Sequence, residues 1–443
     1  MTAAQADSAG YLNKKTAVIV FLAFAAAYFC SALVRAITAT LSPVLTQEFS
    51  LQARDLGLLA GGYFLGFAAM QLPLGAWLDR HGPKQVILWF LGLSVLGSLA
   101  FSMATSFSGL LAARVVLGMG VSACLMAPLT GYRRWLEPAA LLRANSWMLM
   151  TASLGMLAST LPVQWLMPLT GWRALFWILA ALILLSMACI AWVVPHWDMA
   201  PTLRTDVSSL PPEGAELARG GPSLRSATPE VTLADAPPGR YADVLRNRYF
   251  QKMTPLAFFN YGGLVAVQTL WAGPWMLRVA GYTPLESATG LFYINATMLV
   301  TFWTWGMVNP WLVRHGWHAT RLVAWGVPLS IAVLAFNIWA GPATGWLGWA
   351  LFCMSCSAMS LAQPAVGMAF HASLAGRALS AYNLVIFSGV FVVQWGIGLL
   401  IDAFRAAGLG EVASFQAAFS VFLCCCIASY AYFLSVSADN SPQ

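Results

Sequence analysis

The chain has 443 residues, of which 59% are hydrophobic and only 9% charged, where soluble domains carry about 25% charged residues. That composition excludes a soluble globular protein and describes an integral membrane protein. The net charge of +7 comes from basic residues dispersed among loops with no aromatic-studded basic patch, which excludes a nucleic-acid surface and makes the charge a matter of topology.

A span needs about 20 mostly apolar residues to cross about 30 Å of hydrocarbon. Twelve runs meet this: 16–44, 56–78, 84–105, 108–132, 144–167 and 172–195, then 251–278, 287–312, 319–340, 346–371, 378–402 and 413–435. Lys14 and Lys15 precede the first run, which is too long for a signal-peptide core and reads as a retained span. Along it Tyr28, Ser31, Arg35, Thr38 and Ser42 fall at helical spacing and draw one polar stripe on an apolar rod. An ionisable group in hydrocarbon costs at least about 2.5–3.5 kcal/mol, so Arg35 either serves a function or snorkels to the outer headgroups.

Between the second and third runs stands the charged loop Gly75-Ala-Trp-Leu-Asp79-Arg80-His81-Gly82-Pro83-Lys84. Its W-L-x-R-H-G core, Trp77 to Gly82, recurs from Trp311 through Arg314 to Gly316, between the eighth and ninth runs, so the chain reads as two related halves. The fourth run carries Arg114-x-x-x-Gly118-x-Gly120, whose glycines let a neighbouring helix approach closely. Residues 196–250 form a segment rich in Pro, Ser and Thr with several acids, expected as a flexible linker between an N-terminal bundle (1–195) and a C-terminal bundle (251–443).

On the seventh run Asn260, Leu264, Gln268, Trp271 and Trp275 share one face. Asn260, Gln268 and Trp271 are candidates for the wall of a substrate cavity, while Trp275 reads as an interfacial anchor. Tyr63, Gln164, Asn295, Asn383 and Gln394 either contact substrate or join helices by hydrogen bonds, the commoner use of such residues in membranes. The eight cysteines all fall in apolar runs; Cys353-x-x-Cys356 lacks a second pair and reads as packing, so neither a disulfide framework nor a metal site is expected. No cofactor is expected, and no nucleophile–base–acid set or P-loop points to an enzyme.

With both termini in the cytoplasm, seventeen basic residues lie inside and four (Arg54, Arg173, Arg278 and Arg405) outside, as the positive-inside rule requires. The expected fold is therefore all-α: twelve transmembrane helices in two pseudo-symmetric six-helix bundles, multi-pass in the cytoplasmic membrane and in contact with its lipid bilayer.

The loop at Gly75, Asp79, Arg80, Gly82 and Lys84 resembles the signature of the major facilitator superfamily, G-x-x-x-D-[RK]-x-G-x-[RK]. The resemblance implies a transporter, monomeric by default, whose two bundles rock about a mid-membrane cavity. It also implies that Gly75, Asp79, Arg80, Gly82, Lys84, Arg114 and Arg314 act as a conformational latch at the cytoplasmic ends.

Leu33-Val34-Arg35 with Pro43 and Phe49-Ser50 resembles the first helix of organophosphate:phosphate antiporters and related organic-anion symporters. That likeness implies, for Arg35 alone, that it binds the anionic group of a small-molecule substrate; Tyr28, Ser31 and Thr38 are candidates from its own stripe and Tyr63 a further cavity candidate. The chain departs from those relatives in having no arginine on the seventh run before Arg278, which favours a monoanion or zwitterion over a doubly charged phosphate ester. Val34 and Val121 stand where proton-coupled symporters carry acids, and none of the sixteen acids falls in mid-membrane, which favours anion exchange or uniport over proton symport. A proton-driven exporter of drugs or metabolites is the main alternative, and a non-transporting ligand sensor of the same fold a third.

Overall fold

The computed structural model describes residues 11–136, 138–195 and 241–436. Its regular structure is helical throughout. Nine helices among the described residues are long and apolar enough to cross a membrane. Three further rods, interrupted along their length, complete the expected twelve.

In chain order, α1 is Lys14–Phe49; α2 runs from Ala53–Ala69 on through 71–81, and α3 covers 83–103. Next, α4 joins Phe107–Val121 to Ala123–Trp135, α5 joins Pro138–Ala158 to 161–170, and α6 covers 172–193. Then α7 runs from Arg248–Leu256 to Ala272–Arg278 through two π-helical turns, Ala257–Tyr261 and Val267–Trp271. The last five are α8 Pro284–Arg314, α9 Ala319–Ala340, α10 Trp346–Cys356 continuing to Met368, α11 Ala372–Ala406 and α12 Glu411–Ser435.

Two of the chain reversals occupy a single residue. Gly82 has φ 74° and ψ 166°, and Gly171 has φ 74° and ψ 160°. A side chain disfavours that backbone region, so glycine ends one helix and lets the next begin at once. After Gly82 the new helix opens on Pro83, whose fixed φ suits a first helical position.

Of the expected linker, residues 196–240 lie outside the described residues. The remainder is helical: Tyr241–Arg246 forms a short helix and α7 begins at Arg248, with Val244, Tyr249 and Phe250 buried. The span thus starts earlier than the apolar run because its first turn is amphipathic.

Alternation of twelve rods puts the Asp79 loop at one end of the molecule and Asp402, near the close of α11, at the other. At the Asp402 end the bundles are pressed together along α2 and α11. A Cβ on Gly57 would lie 2.4 Å from the Gln394 carbonyl oxygen, and one on Gly398 2.4 Å from that of Ala53, so these helices touch backbone to backbone. Small residues make this possible where no hydrophobic force draws helices together. Further along, Phe67 and Phe387 meet at 4.4 Å between ring centroids.

The Asp402 carboxylate closes the same end. It accepts from the backbone N–H groups of Ala53 (3.2 Å) and Arg54 (2.9 Å), so an acid on one bundle caps the first turn of a helix on the other. Negative charge at a helix N-terminus contributes about 0.3–1 kcal/mol, and loss of a cap costs about 1 kcal/mol. Asp402→Ala should shift the population toward separation at this end by about fivefold, the equivalent of about 1 kcal/mol; Asp402→Asn, which keeps an acceptor, should shift it less. Spin labels at Arg54 and Ala407 read the change as a longer distance component, and unchanged distances in the alanine variant would show that the cap does not hold the end shut.

Candidate functional site

The stripe on α1 turns toward protein. Tyr28, Ser31, Thr38 and Ser42 are buried, and Arg35 is partly buried. The helix of 36 residues is about 54 Å long at 1.5 Å per residue, and Arg35 lies about 21 Å from its Phe49 end. Instead of reaching for headgroups, the guanidinium interacts with the hydroxyls of Tyr28 and Tyr63. Its carbon also sits 6.0 Å from the centre of the Phe67 ring. The Nε is buried without a partner, and among the described residues no carboxylate forms an ion pair with Arg35.

Arg114, expected in the latch, stands in the same neighbourhood as Arg35. It stands on the second turn of α4, counted from the Asp402 end, and is only 1% exposed. One guanidinium nitrogen donates to the Val34 carbonyl at 3.0 Å and another to the Thr38 hydroxyl. The Tyr63 and Phe101 rings lie 5.5 and 5.8 Å from its central carbon. From that turn, packed against α1, its side chain is most of the length of α4 away from the Asp79 end. The two arginines therefore flank Tyr63, whose hydroxyl also donates to the Ser31 carbonyl at 3.4 Å.

From the other bundle Tyr261 lies within electrostatic reach of both Arg35 and Tyr28. Sequence periodicity missed it. The π turn Ala257–Tyr261 inserts an extra residue into the winding of α7, so the face drawn by 3.6-residue spacing from Asn260 is displaced. Such turns recur at functional sites, but nothing in a run of AFFNYGG announces one.

The remaining polar candidates on the C-terminal bundle are engaged between helices. Asn260 donates to the Ser429 hydroxyl at 2.8 Å, and Gln268 to the Asn295 side-chain oxygen at 3.0 Å. Asn295 in turn donates to the Leu291 carbonyl. The Trp271 indole donates to the Gln394 carbonyl at 3.0 Å, the same oxygen that crowds Gly57, and the Gln394 amide donates to Thr269. Asn383 accepts from Gln363 at 2.7 Å. On the N-terminal bundle, Gln164 of α5 keeps a buried side-chain oxygen with no partner among the described residues. Trp275, expected at the membrane interface, is instead fully buried among Trp349, Phe415 and Phe419, because α7 runs through the middle of its bundle.

The expected loop is instead the helical end of α2 up to the Gly82 reversal, where Asp79 and Arg80 are exposed and the position of a Gly75 Cβ is open. Lys84 is buried and donates to the Val194 carbonyl at 2.7 Å, capping the end of α6 within its own bundle. Arg314 is exposed at the end of α8.

Comparison with known proteins adds family and fold. Residues 24–394 match the sequence profile described as "Major Facilitator Superfamily". The "Probable sulfoacetate transporter SauU" of Cupriavidus necator is 29% identical over 159 residues, 35% of this chain and 36% of that protein. "Multidrug resistance protein MdtL" of Escherichia coli O45:K1 is 25% identical over 390 residues, covering 83% of this chain and 90% of that protein. The chain spans only about a third, or less, of the length of the first curated relatives it matches. Among solved structures, a bacterial homologue of the human lysosomal transporter Spinster, inward-facing and unoccupied, superposes with a TM-score of 0.73 at 17% identity, covering 95% of this chain and 97% of that one. That last likeness is one of fold.

Proposed function

The chain belongs to the Major Facilitator Superfamily, and from that premise we propose that it carries a small organic anion, a carboxylate or similar monoanion, across the cytoplasmic membrane by alternating access. Proteins of this family and fold move solutes and do not transform them, so the chain is a secondary transporter and not an enzyme.

One observation carries the choice of an anion: Arg35 stands in mid-membrane, partly accessible, without a carboxylate partner. A guanidinium held there gains most from an anion that supplies the missing charge, and its planar fork matches a carboxylate or sulfonate. Tyr28 and Tyr63 hold it from one bundle, and Tyr261 of the other bundle lies within electrostatic reach. An anion seated on Arg35 is thereby within electrostatic reach of both bundles, as alternating access requires. The name of the sulfoacetate relative supports the same charge class.

With the Asp79 end taken as cytoplasmic, the positive-inside count is satisfied and the Asp402 end faces out. The closed α2–α11 contact then belongs to an inward-facing state. In the opposite state Asp79 and Arg80, on the last turn of α2 before the Gly82 reversal, are available to hold the cytoplasmic ends together.

Export of drugs is the second reading, favoured by the likeness to MdtL over most of the chain. One experiment separates the two: thermal melts of the detergent-purified protein against monocarboxylates, sulfonates, organophosphates, amino acids and lipophilic cations, repeated on Arg35→Gln. Stabilisation by a monoanion that vanishes in the variant is the expected result. Stabilisation by lipophilic cations, unchanged by the variant, would replace this reading with export.

A further inference from the structure

A second basic site lies away from Arg35, at the Asp79 end of the C-terminal bundle. The start of α7, the first turn of α9 and the last turns of α12 border an open groove of about 370 Å³ lined by Lys252, His318, Thr320, Arg321, Ala324, Phe433 and Leu434. Among the described residues no carboxylate pairs with Lys252 or Arg321. Each cation is held by an aromatic ring instead: the Lys252 Nζ lies 4.7 Å from the centre of Phe433, and the Arg321 guanidinium carbon 4.5 Å from that of Trp317. A cation stationed on a ring face keeps its N–H donors for another partner.

The walls are cross-tied. The hydroxyls of Tyr249 on α7 and Thr320 on α9 hydrogen-bond at 3.0 Å, and the Tyr430 hydroxyl on α12 donates to the Ala324 carbonyl at 2.8 Å. The His318 side chain does not cap α9, so the first turn of this 22-residue helix adds its partial positive charge to that of Lys252 and Arg321. The rest of the lining is apolar, where Phe433 is buried and Leu434 is 60% exposed.

We infer that this groove is a binding site for the phosphodiester headgroup of an anionic phospholipid, whose acyl chains lie along α12 past Leu434. The phosphate meets Lys252, Arg321 and the first turn of α9 at the level of the headgroups, and the same molecule's chains cover the apolar side. Basic pockets between helices at this depth suit such headgroups, and a zwitterionic lipid would bring a cation with its phosphate. The contacts differ from those around Arg35, so the inference stands independently of what the protein transports.

The test compares melts of the full-length protein in detergent with added phosphatidylglycerol, phosphatidylcholine of the same acyl chains, or inorganic phosphate, for the wild type and for Lys252→Gln/Arg321→Gln. Native mass spectra of the same samples count retained lipid, which keeps the result readable if the variant melts low. Phosphatidylglycerol should raise the wild-type melting temperature by on the order of 5 °C over phosphatidylcholine. That gain, and one retained lipid, should be lost in the double variant. Equal effects of the two lipids, or a gain that survives the double variant, would overturn the site. A gain reproduced by inorganic phosphate alone would assign the groove to a soluble anion and overturn the lipid.

Discussion

Gly57→Val should abolish closure at the Asp402 end and reduce transport to less than a tenth. Even a single Cβ at this position would sit 2.4 Å from the Gln394 carbonyl oxygen and 3.2 Å from the Trp395 Cα. These are backbone atoms, so no rotamer change relieves the clash. The Gln394 carbonyl is also held from behind by the Trp271 indole, which fixes α11 against α7. Overpacking in well-packed interiors costs about 1–3 kcal/mol, and here the cost falls on one state of the cycle only. Because about 1.4 kcal/mol is a factor of ten in population, the closed arrangement becomes a minor species. Distances between spin labels at Arg54 and Ala407 should lengthen, and flux in proteoliposomes should fall while the folded fraction stays high. Gly57→Ala should lie between wild type and valine. Wild-type distances and flux in the valine variant would mean that α2 and α11 do not need backbone contact.

The second large effect is expected from Gly118→Ala. A Cβ here would meet the Tyr63 carbonyl oxygen at 1.8 Å and the Tyr63 Cα at 3.0 Å. Something must shift, and what shifts is the helical turn that aims Tyr63 at Arg35 and Arg114. Gly120→Ala makes a comparable clash on the other side of α4, 2.3 Å from the Ser94 backbone nitrogen on α3, without touching Tyr63. Both variants should melt lower, since each forces helices apart at about 1–3 kcal/mol of strain. Stabilisation by the anion that binds wild type should be lost with Gly118→Ala and kept with Gly120→Ala. Loss in both would make general loosening of α4 the cause and remove Tyr63 as the element that positions Arg35.

Much of the architecture was legible before any coordinates, because crossing a membrane is decided locally. Whether a run of about 20 residues partitions into hydrocarbon depends on those residues alone. The number and order of the twelve rods, the turn at Gly82-Pro83, the close approach at Gly118 and Gly120, and the inward aim of the α1 stripe all follow from composition or spacing within one helix. Arg35 was conspicuous for the same reason, since its cost in apolar surroundings does not depend on its neighbours.

The tertiary structure decided whatever depends on two helices at once. Asp402 looks like an ordinary acid at the end of a span until α2 is seen starting beneath it. Arg114 reads as part of a loop latch until packing carries it to Val34 and Thr38, far along the chain, and Trp275 reads as a surface anchor until α7 turns out to be enclosed. Tyr261 needed the π turn Ala257–Tyr261, which the apolar run AFFNYGG does not announce. Apolar period and length report that a face is turned from lipid; they carry no information on which of eleven other helices it meets, because small residues, π turns and interhelical hydrogen bonds settle that choice only when the bundle assembles.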